Sequence, residues 1–220
     1  MKGCMVQVAI IVLILCRGPI NGDEKATEKD RPNSNPKARE AVAKVEVVRS
    51  FRERVGTGSG FFISRKGQLL TNWHVVCDAA KITVRTARGE TLIGTVIAED
   101  RERDLAIVQV RGDNFPSLEL VDNDHTGAGI PITLIGGGNF PTCEGHTGAM
   151  REIFGQPMLL ISTSLQPGYS GSPLVDAQER VVGIANGCYV GKTPEQNENF
   201  AVPVVSIRKL LAQVLAGATQ

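Results

Sequence analysis

Aromatic residues, cysteine and excess charge are all scarce in this chain of 220 residues. Phe, Trp and Tyr together make up 5% of the sequence, and the formal net charge is +1 at pH 7. A near-neutral chain has no global field to attract nucleic acid or an anionic membrane surface, so we expect neither as a partner. Hydrophobic residues still reach 42%, enough for one good core or two small ones. Any function must therefore come from a local site.

Long hydrophobic runs are scarce as well. The apolar run from Met5 to Leu15 follows Lys2 and is shorter than the roughly 20 residues that cross a bilayer. Such a run is typical of a secretory signal, so we predict a signal peptide over residues 1–22, an exported (periplasmic or secreted) protein and no stable membrane span in the mature chain. A permanent anchor and a lipoprotein signal at Cys16 remain as alternatives. Residues 23–43 are polar, charged and proline-containing, which predicts a flexible leader.

The rest of the chain, residues 44–215, is rich in short apolar or alternating runs bounded by Gly, Asn, Asp or Pro, such as KITVRT, LAIVQV and PITLIG. This pattern predicts an all-β fold. A less regular segment divides the runs into a first half, about 44–115, and a second half, about 127–205. A C-terminal helix over about 204–215 is predicted from five apolar residues on one helical face: Ile207, Leu210, Leu211, Val214 and Leu215.

Three short motifs carry candidate chemistry. PGYSGSPLV contains Ser170 in a glycine-flanked turn before an apolar strand, where a hydroxyl lies beside backbone N–H groups. TNWHVV contains His74 at the end of a strand-like run, and DRERDLAIVQV has Asp104 directly before a strand. The order His, Asp, Ser along the chain is the chymotrypsin order, and it differs from those of subtilisin and the α/β-hydrolases.

Five ordered segments, GTGSGFFIS, TNWHVV, DLAIVQV, PGYSGSPLV and NFAVP, resemble a trypsin-like serine protease of the HtrA/Deg type. The resemblance runs from about Val45 to about Leu211. It implies two six-stranded antiparallel β-barrels with the active site in the cleft between them. Many relatives of this type carry a PDZ domain after the protease domain, and we expect none after the C-terminal helix here.

The resemblance implies a role for each residue of the triad. Ser170 is the nucleophile, His74 is its general base, and Asp104 orients the imidazole. The backbone N–H groups of Gly168 and Ser170 form the oxyanion hole. The competing histidines His125 and His146 lie in glycine-rich contexts that favour solvated loops.

The resemblance also implies a substrate pocket, formed by Ser164, Ile184, Ala185, Asn186, Gly187 and Ala201. Ser164, at the pocket floor, is uncharged, so a strong demand for Arg or Lys is not expected and a medium apolar P1 side chain is favoured. For Asn186 we leave three roles open: contact with Asp104, contact with the substrate backbone, or a structural turn. Tyr169 occupies the position at which digestive relatives use an acid to bind a new N-terminus, so activation by that route is not expected.

The three cysteines after the predicted signal peptide are Cys77, Cys143 and Cys188. If a disulfide exists, the resemblance favours Cys143 with Cys188, because both loops lie near the substrate pocket in related proteins; three unpaired thiols are the alternative. Cys143 and His146 have a metal-like spacing but no second pair supports it, so we expect no metal and no cofactor.

The sequence leaves the oligomeric state open. The predicted function is that of a serine endopeptidase acting on polypeptides, and the alternative is a catalytically silent binding protein of the same fold.

Overall fold

A computed structural model describes residues 36–49, 55–122, 127–139, 141–153, 155–189 and 198–217. The predicted signal peptide, residues 1–22, and the competing residue His125 lie outside the described residues, as does the part of the predicted leader before residue 36. Among the helices of the described ranges, none combines the length and the apolar character needed to cross a membrane.

Strands dominate the fold and form two closed antiparallel barrels. The first barrel has the strand order β1-β2-β3-β6-β5-β4. Its strands are β1 (Val42–Arg49), β2 (Val55–Phe62), β3 (Gln68–Thr71), β4 (Ala79–Thr86), β5 (Thr91–Asp100) and β6 (Leu105–Val110). The second barrel has the order β10-β11-β12-β9-β8-β7. Its strands are β7 (Pro131–Ile135), β8 (Thr142–Ile153), β9 (Gln156–Ile161), β10 (Pro173–Val175), β11 (Val181–Tyr189) and β12 (Glu198–Pro203). The prediction of two six-stranded barrels is confirmed.

Three helices accompany the barrels: α1 (Pro36–Glu40), α2 (Trp73–Val76) and α3 (Val204–Gly217). Each barrel has its own apolar interior, and a third apolar cluster connects α1 and α3 with strands of both barrels. Ile207 and Leu210 of α3 are buried in that third cluster, as predicted, whereas Leu215 is 72% exposed. Leu215 lies eight residues after Ile207, which turns it about 80° around the helix axis and carries it to the edge of the apolar face.

Two elements differ from the sequence-based expectations. Helix α1 and the start of β1 lie inside the predicted flexible leader, with Ala38 and Ala41 buried at 1% and 0% exposure. Alanines three residues apart share one face of a helical turn, and their small side chains fit closely against the barrel. Strand β8 was not predicted, because in its sequence TCEGHTGAMREI only Thr147 is buried, so the strand carries no apolar signal.

Candidate active site

His74 lies in the single helical turn α2, which follows β3 after Asn72. Trp73, Val75 and Val76 of this turn are buried, while the His74 side chain keeps 25% of its surface exposed. The packing of its neighbours therefore fixes the backbone and leaves the imidazole accessible. His74 was predicted at the end of a strand; the structure places it three residues beyond the end of β3, in the helical turn that follows the N-cap Asn72.

Asp104 ends the turn between β5 and β6 and contacts His74 twice. Its Oδ2 lies 2.6 Å from His74 Nδ1, and its Oδ1 accepts a hydrogen bond of 2.8 Å from the His74 backbone N–H. The Asp104 carbonyl accepts from the Asn72 side-chain amide at 3.0 Å and from the Trp73 N–H at 3.2 Å. Because a carboxylate can only accept, the imidazole proton lies on Nδ1 and the lone pair of Nε2 is left for another proton.

The backbone of Asp104 has a φ of 54°, in the left-handed region where most side chains are disfavoured. Asp and Asn tolerate this region better than other residues with a Cβ. The four hydrogen bonds between Asp104 and residues 72–74 hold it there. The left-handed backbone conformation of Asp104 thus points both its carboxylate and its carbonyl toward α2.

Asn186, on β11 of the second barrel, connects Asp104 with Ser170. Its Nδ2 donates to Asp104 Oδ2 at 2.6 Å, and its carbonyl accepts from Ser170 Oγ at 3.2 Å. Among the described residues, the Ser170 hydroxyl has no hydrogen bond with His74, so its proton points to the Asn186 carbonyl. Of the three roles left open for Asn186, contact with Asp104 is the one that the structure contains.

The turn before β10 leaves two backbone donors without an acceptor in the described part of the chain, the N–H groups of Gly168 and Ser170. The Tyr169 carbonyl and the Ser170 N–H belong to the same peptide. The carbonyl accepts a hydrogen bond from the Ser172 N–H at 2.9 Å, and because the peptide is trans, the Ser170 N–H points in the opposite direction. Gly168 has a φ of 104°, which a residue with a Cβ rarely adopts. Two such donors beside one hydroxyl can stabilise an oxyanion at a carbonyl that the hydroxyl attacks.

Tyr169, next to Ser170, is 2% exposed. Its hydroxyl donates to the Pro141 carbonyl at 3.0 Å and lies 3.6 Å from Cys143 Sγ. Burial, and then the hydrogen bond with Cys143, raise the pKa of the Tyr169 phenol far above its ordinary value. The phenol therefore stays neutral, and its hydrogen bond to the Pro141 carbonyl connects the Ser170 turn with the segment that leads into β8.

The residues predicted to form a substrate pocket have different exposures. Ser164 is exposed and Gly187 is half-buried. Ile184 is 0% exposed in the cluster that includes α3, while Ala185 and Ala201 are 0% exposed in the interior of the second barrel. These three side chains belong to the core, so a pocket wall at these positions would have to come from their backbone. The pocket stays a prediction.

No disulfide joins Cys143 to Cys188, contrary to the pairing that the resemblance favoured. Cys143 lies in β8 and Cys188 in β11. In the barrel order, two strands separate β8 from β11 in either direction, so the two cysteines lie on opposite sides of the barrel. A disulfide needs Cα atoms within about 7 Å, which strands three steps apart do not provide.

Two residues near His74 were missed in the sequence. Arg49 Nη2 donates to the carbonyls of His74 at 3.0 Å and Val75 at 3.4 Å, so it holds the end of α2. Asn72 binds the Asp104 carbonyl, as described above. Asn72 occupies the N-cap position of α2 but makes no side-chain capping hydrogen bond, so a cap signal in TNWH would not have predicted its contact with Asp104. For Arg49 the sequence contains no comparable signal, because its contact depends on β1 lying beside α2.

The competing histidine His146 and two further aspartates, Asp100 and Asp122, have other environments. His146 is exposed in β8, not in a loop as predicted. Asp100 pairs with Arg103. Asp122 has an exposed side chain 3.5 Å from Arg208. None of these three contacts His74 or Ser170 within the ranges described.

Comparison with known proteins identifies relatives of this chain. The family model described as "Trypsin-like peptidase domain" matches residues 58–184. A protein of Hahella chejuensis named "Probable periplasmic serine endoprotease DegP-like" is 32% identical over 163 residues, which are 71% of this chain and 35% of that protein. A protein of the same name from Pseudomonas putida is 31% identical over 160 residues, 70% of this chain and 34% of that protein. The chain thus spans about a third of the length of these curated relatives.

Solved structures are similar over most of the chain. An HtrA-type protease, AlgW with tripeptide, has a TM-score of 0.74 and 26% identity, covering 83% of this chain and 62% of that one. The active form of a protease from M. tuberculosis has a TM-score of 0.72 and 24% identity, covering 81% and 83%, and this likeness concerns the fold alone. With the family model matching more than half of its residues, the chain belongs to the trypsin-like peptidase family, within which its relatives are of the HtrA/DegP type.

Proposed function

We propose that this protein is an exported serine endopeptidase that hydrolyses peptide bonds of polypeptide substrates through an acyl-enzyme. The observation that carries the proposal is the 2.6 Å contact between His74 Nδ1 and Asp104 Oδ2, on the side of the imidazole that leaves Nε2 free to take a proton. The names of the relatives, periplasmic serine endoproteases, support both the activity and the export. The signal-like residues 1–22 support the export independently.

In the proposed reaction, Ser170 Oγ attacks the substrate carbonyl while His74 Nε2 takes the hydroxyl proton. The C–N bond then breaks, the leaving amine receives that proton from His74, and the acyl group stays on Ser170. A water molecule, deprotonated by His74, then attacks the ester carbonyl; the bond between the acyl carbon and Ser170 Oγ breaks, and His74 returns the proton to Oγ. Asp104 holds the imidazole in one tautomer and stabilises the imidazolium, and the N–H groups of Gly168 and Ser170 stabilise the oxyanion in both steps.

The Ser170 hydroxyl has to turn away from the Asn186 carbonyl for this reaction, because its proton points to that carbonyl. The hydrogen bond lost, between two neutral groups, is worth about 0.5–1.5 kcal/mol. This cost is small compared with the barrier of a reaction with a rate near 10 per second, about 16 kcal/mol. The Asn186 bond is therefore compatible with a resting enzyme.

The proposed substrates have a medium apolar residue at P1. Ser164, which the resemblance places at the pocket floor, has no charge to neutralise a basic side chain. A cleavage profile against a peptide library tests this preference. Cleavage confined to bonds after Arg or Lys would contradict it.

The second candidate function, a protease-like binding protein with negligible turnover, is favoured by one observation, the absence of a Ser170–His74 hydrogen bond among the described residues. A fluorophosphonate probe separates the two functions, because only an activated serine reacts readily with it. We expect the secreted protein to be labelled and Ser170→Ala not to be. The probe is applied with and without a substrate peptide added beforehand. A folded wild-type protein that is unlabelled under both conditions would be the binding protein.

A further inference from the structure

Ser59 of β2 is completely buried and binds the Ser170 turn from the opposite barrel. Its hydroxyl donates to the Gly168 carbonyl at 2.8 Å, and its backbone N–H donates to the Ser170 carbonyl at 2.8 Å. These two carbonyls bracket the peptide that carries the Ser170 N–H. One residue of the first barrel therefore fixes the turn on both sides of that donor.

The Ser59 hydroxyl has a fixed direction. A hydroxyl has one proton and two lone pairs, and the Gly137 N–H donates to Ser59 Oγ at 3.0 Å. The proton is then left for the Gly168 carbonyl. Gly137 follows β7, so the hydroxyl lies between two segments of the second barrel. The Ser59 carbonyl is occupied too, since Thr71 Oγ1 donates to it at 2.7 Å.

Close packing around β2 makes Ser59 the position from which a side chain can reach the turn. A Cβ at Gly58 would lie 2.7 Å from Val75 Cγ1, and one at Gly60 would lie 2.4 Å from Leu69 Cδ2. A Cβ at Gly171 would lie 2.0 Å from the Ser59 carbonyl oxygen. Contacts this short exclude side chains, so the turn and β2 meet backbone to backbone with one hydroxyl between them.

We propose that Ser59 is a positioning residue for the oxyanion hole. By holding the carbonyls of Gly168 and Ser170 it keeps the peptide between them from rotating, and the Ser170 N–H stays directed at the point where the oxyanion forms. A hole that is set in advance needs no reorganisation during the reaction, which is the source of its effect. The inference rests on the proposed endopeptidase function.

The test is Ser59→Ala, which leaves the Gly168 carbonyl and the Gly137 N–H without the hydroxyl. Loss of a whole oxyanion donor costs about 10²–10³ in kcat, so a displaced hole should lower kcat by about 10- to 100-fold with KM within about threefold. A peptide aldehyde, which forms a tetrahedral adduct on Ser170, should lose affinity by the same factor as kcat/KM. The pH dependence of kcat/KM should be unchanged, because the base is intact.

Ser206→Ala is the matched control, since Ser206 is a buried serine of α3 with 2% exposure, away from the turn. It should leave kcat and aldehyde affinity unchanged.

If Ser59→Ala does not fold, Ser59→Cys keeps a side chain of similar shape with a weaker donor, and a reduced kcat with unchanged KM is again expected. A folded Ser59 variant with wild-type kcat and aldehyde affinity overturns the inference. A wild-type protein that neither cleaves peptides nor reacts with a fluorophosphonate overturns instead the proposed function.

Discussion

Asn186 Nδ2 donates to Asp104 Oδ2 at 2.6 Å, which joins the second barrel to the first at the carboxylate that orients His74. The backbone carbonyl of the same asparagine accepts a hydrogen bond from the Ser170 hydroxyl. Asn186 is 5% exposed, so this contact is shielded from water. The relative position of Ser170 and the His74–Asp104 pair therefore depends on one side chain as well as on the packing of the barrels.

Asn186→Asp should lower kcat/KM by about 10- to 100-fold. The substitution keeps the size of the side chain but replaces a donor with a second carboxylate against Asp104, and a hydrogen bond to a charged group is worth about 1.5–3 kcal/mol. Steady-state kinetics at pH 7–8 measures the effect. Asn114→Asp, at an exposed position where Oδ1 accepts from Arg65, keeps the acceptor and is the control. Equal activity of the two variants would show that the Asn186 contact does not matter for catalysis.

Asp104→Asn should lower kcat by about 10⁴ with little change in Tm. An amide can donate to Nδ1 and so stabilise the wrong imidazole tautomer, which is the effect that this substitution has in the Ser-His-Asp template. The backbone is expected to tolerate the change, because asparagine also adopts a φ near 54°. Asp78→Asn is a matched control, since Asp78 has a φ of 56° and is exposed. A variant at Asp104 that keeps most of its kcat would remove this carboxylate from the mechanism.

The pattern of short apolar runs was sufficient for an all-β fold in two halves, and the resemblance carried by the motifs around His74, Asp104 and Ser170 implied the two barrels and the grouping of His74 with Asp104. Local patterns do not carry long-range geometry. Only one residue of strand β8 is buried, so the strand is held by its backbone pairing with β7 and β9 and shows no apolar periodicity in the sequence. The Ser170–Asn186 hydrogen bond depends on how a turn sits against β11, and the distance between Cys143 and Cys188 depends on closure of the barrel.

Arg49→Met should destabilise the protein by about 1.5–3 kcal/mol and lower activity. The charged donor binds two carbonyls at the end of α2, and hydrogen bonds to charged groups are worth about this much. Arg85→Met is the control: its guanidinium pairs with Glu46 at 2.7 Å, but the side chain is 54% exposed, and such pairs contribute about 0–1 kcal/mol. Urea unfolding and kcat/KM are measured on both. If Arg85→Met costs as much stability as Arg49→Met, the carbonyl contacts are not what makes Arg49 important.

Leu210→Ala should cost about 2–5 kcal/mol of unfolding free energy, while Leu215→Ala should cost less than about 0.5 kcal/mol. Leu210 is 1% exposed in the cluster between α3 and the barrels, so its truncation leaves a cavity. Leu215 is 72% exposed on the same helix, which makes it a control with the same chemical change and the same helix propensity. Thermal unfolding compares them. Similar losses of Tm would mean that α3 packs through a different face.

Tyr169→Phe should remove a dependence of stability on alkaline pH. The folded protein raises the pKa of this phenol above that of the unfolded chain, which is about 10. The stabilisation from Tyr169 is therefore fully present below pH 10 and is lost as the pH rises from there towards the folded pKa, because the unfolded chain releases the proton first. At pH 7 the wild type should be more stable than Tyr169→Phe by about 0.5–1.5 kcal/mol, the worth of the bond to the Pro141 carbonyl.

Urea unfolding of both proteins between pH 7 and pH 11 measures this difference. Other titrating groups are the same in the two proteins, so the gap between their stabilities isolates Tyr169 and should shrink above pH 10. The chain has two tyrosines, and Tyr189→Phe is the control for loss of a phenol elsewhere. A gap that stays constant up to pH 11 would mean that the Tyr169 phenol ionises equally in the folded and unfolded chain. The buried Tyr169 hydroxyl and its hydrogen bond to Pro141 would then not stabilise the turn beside Ser170.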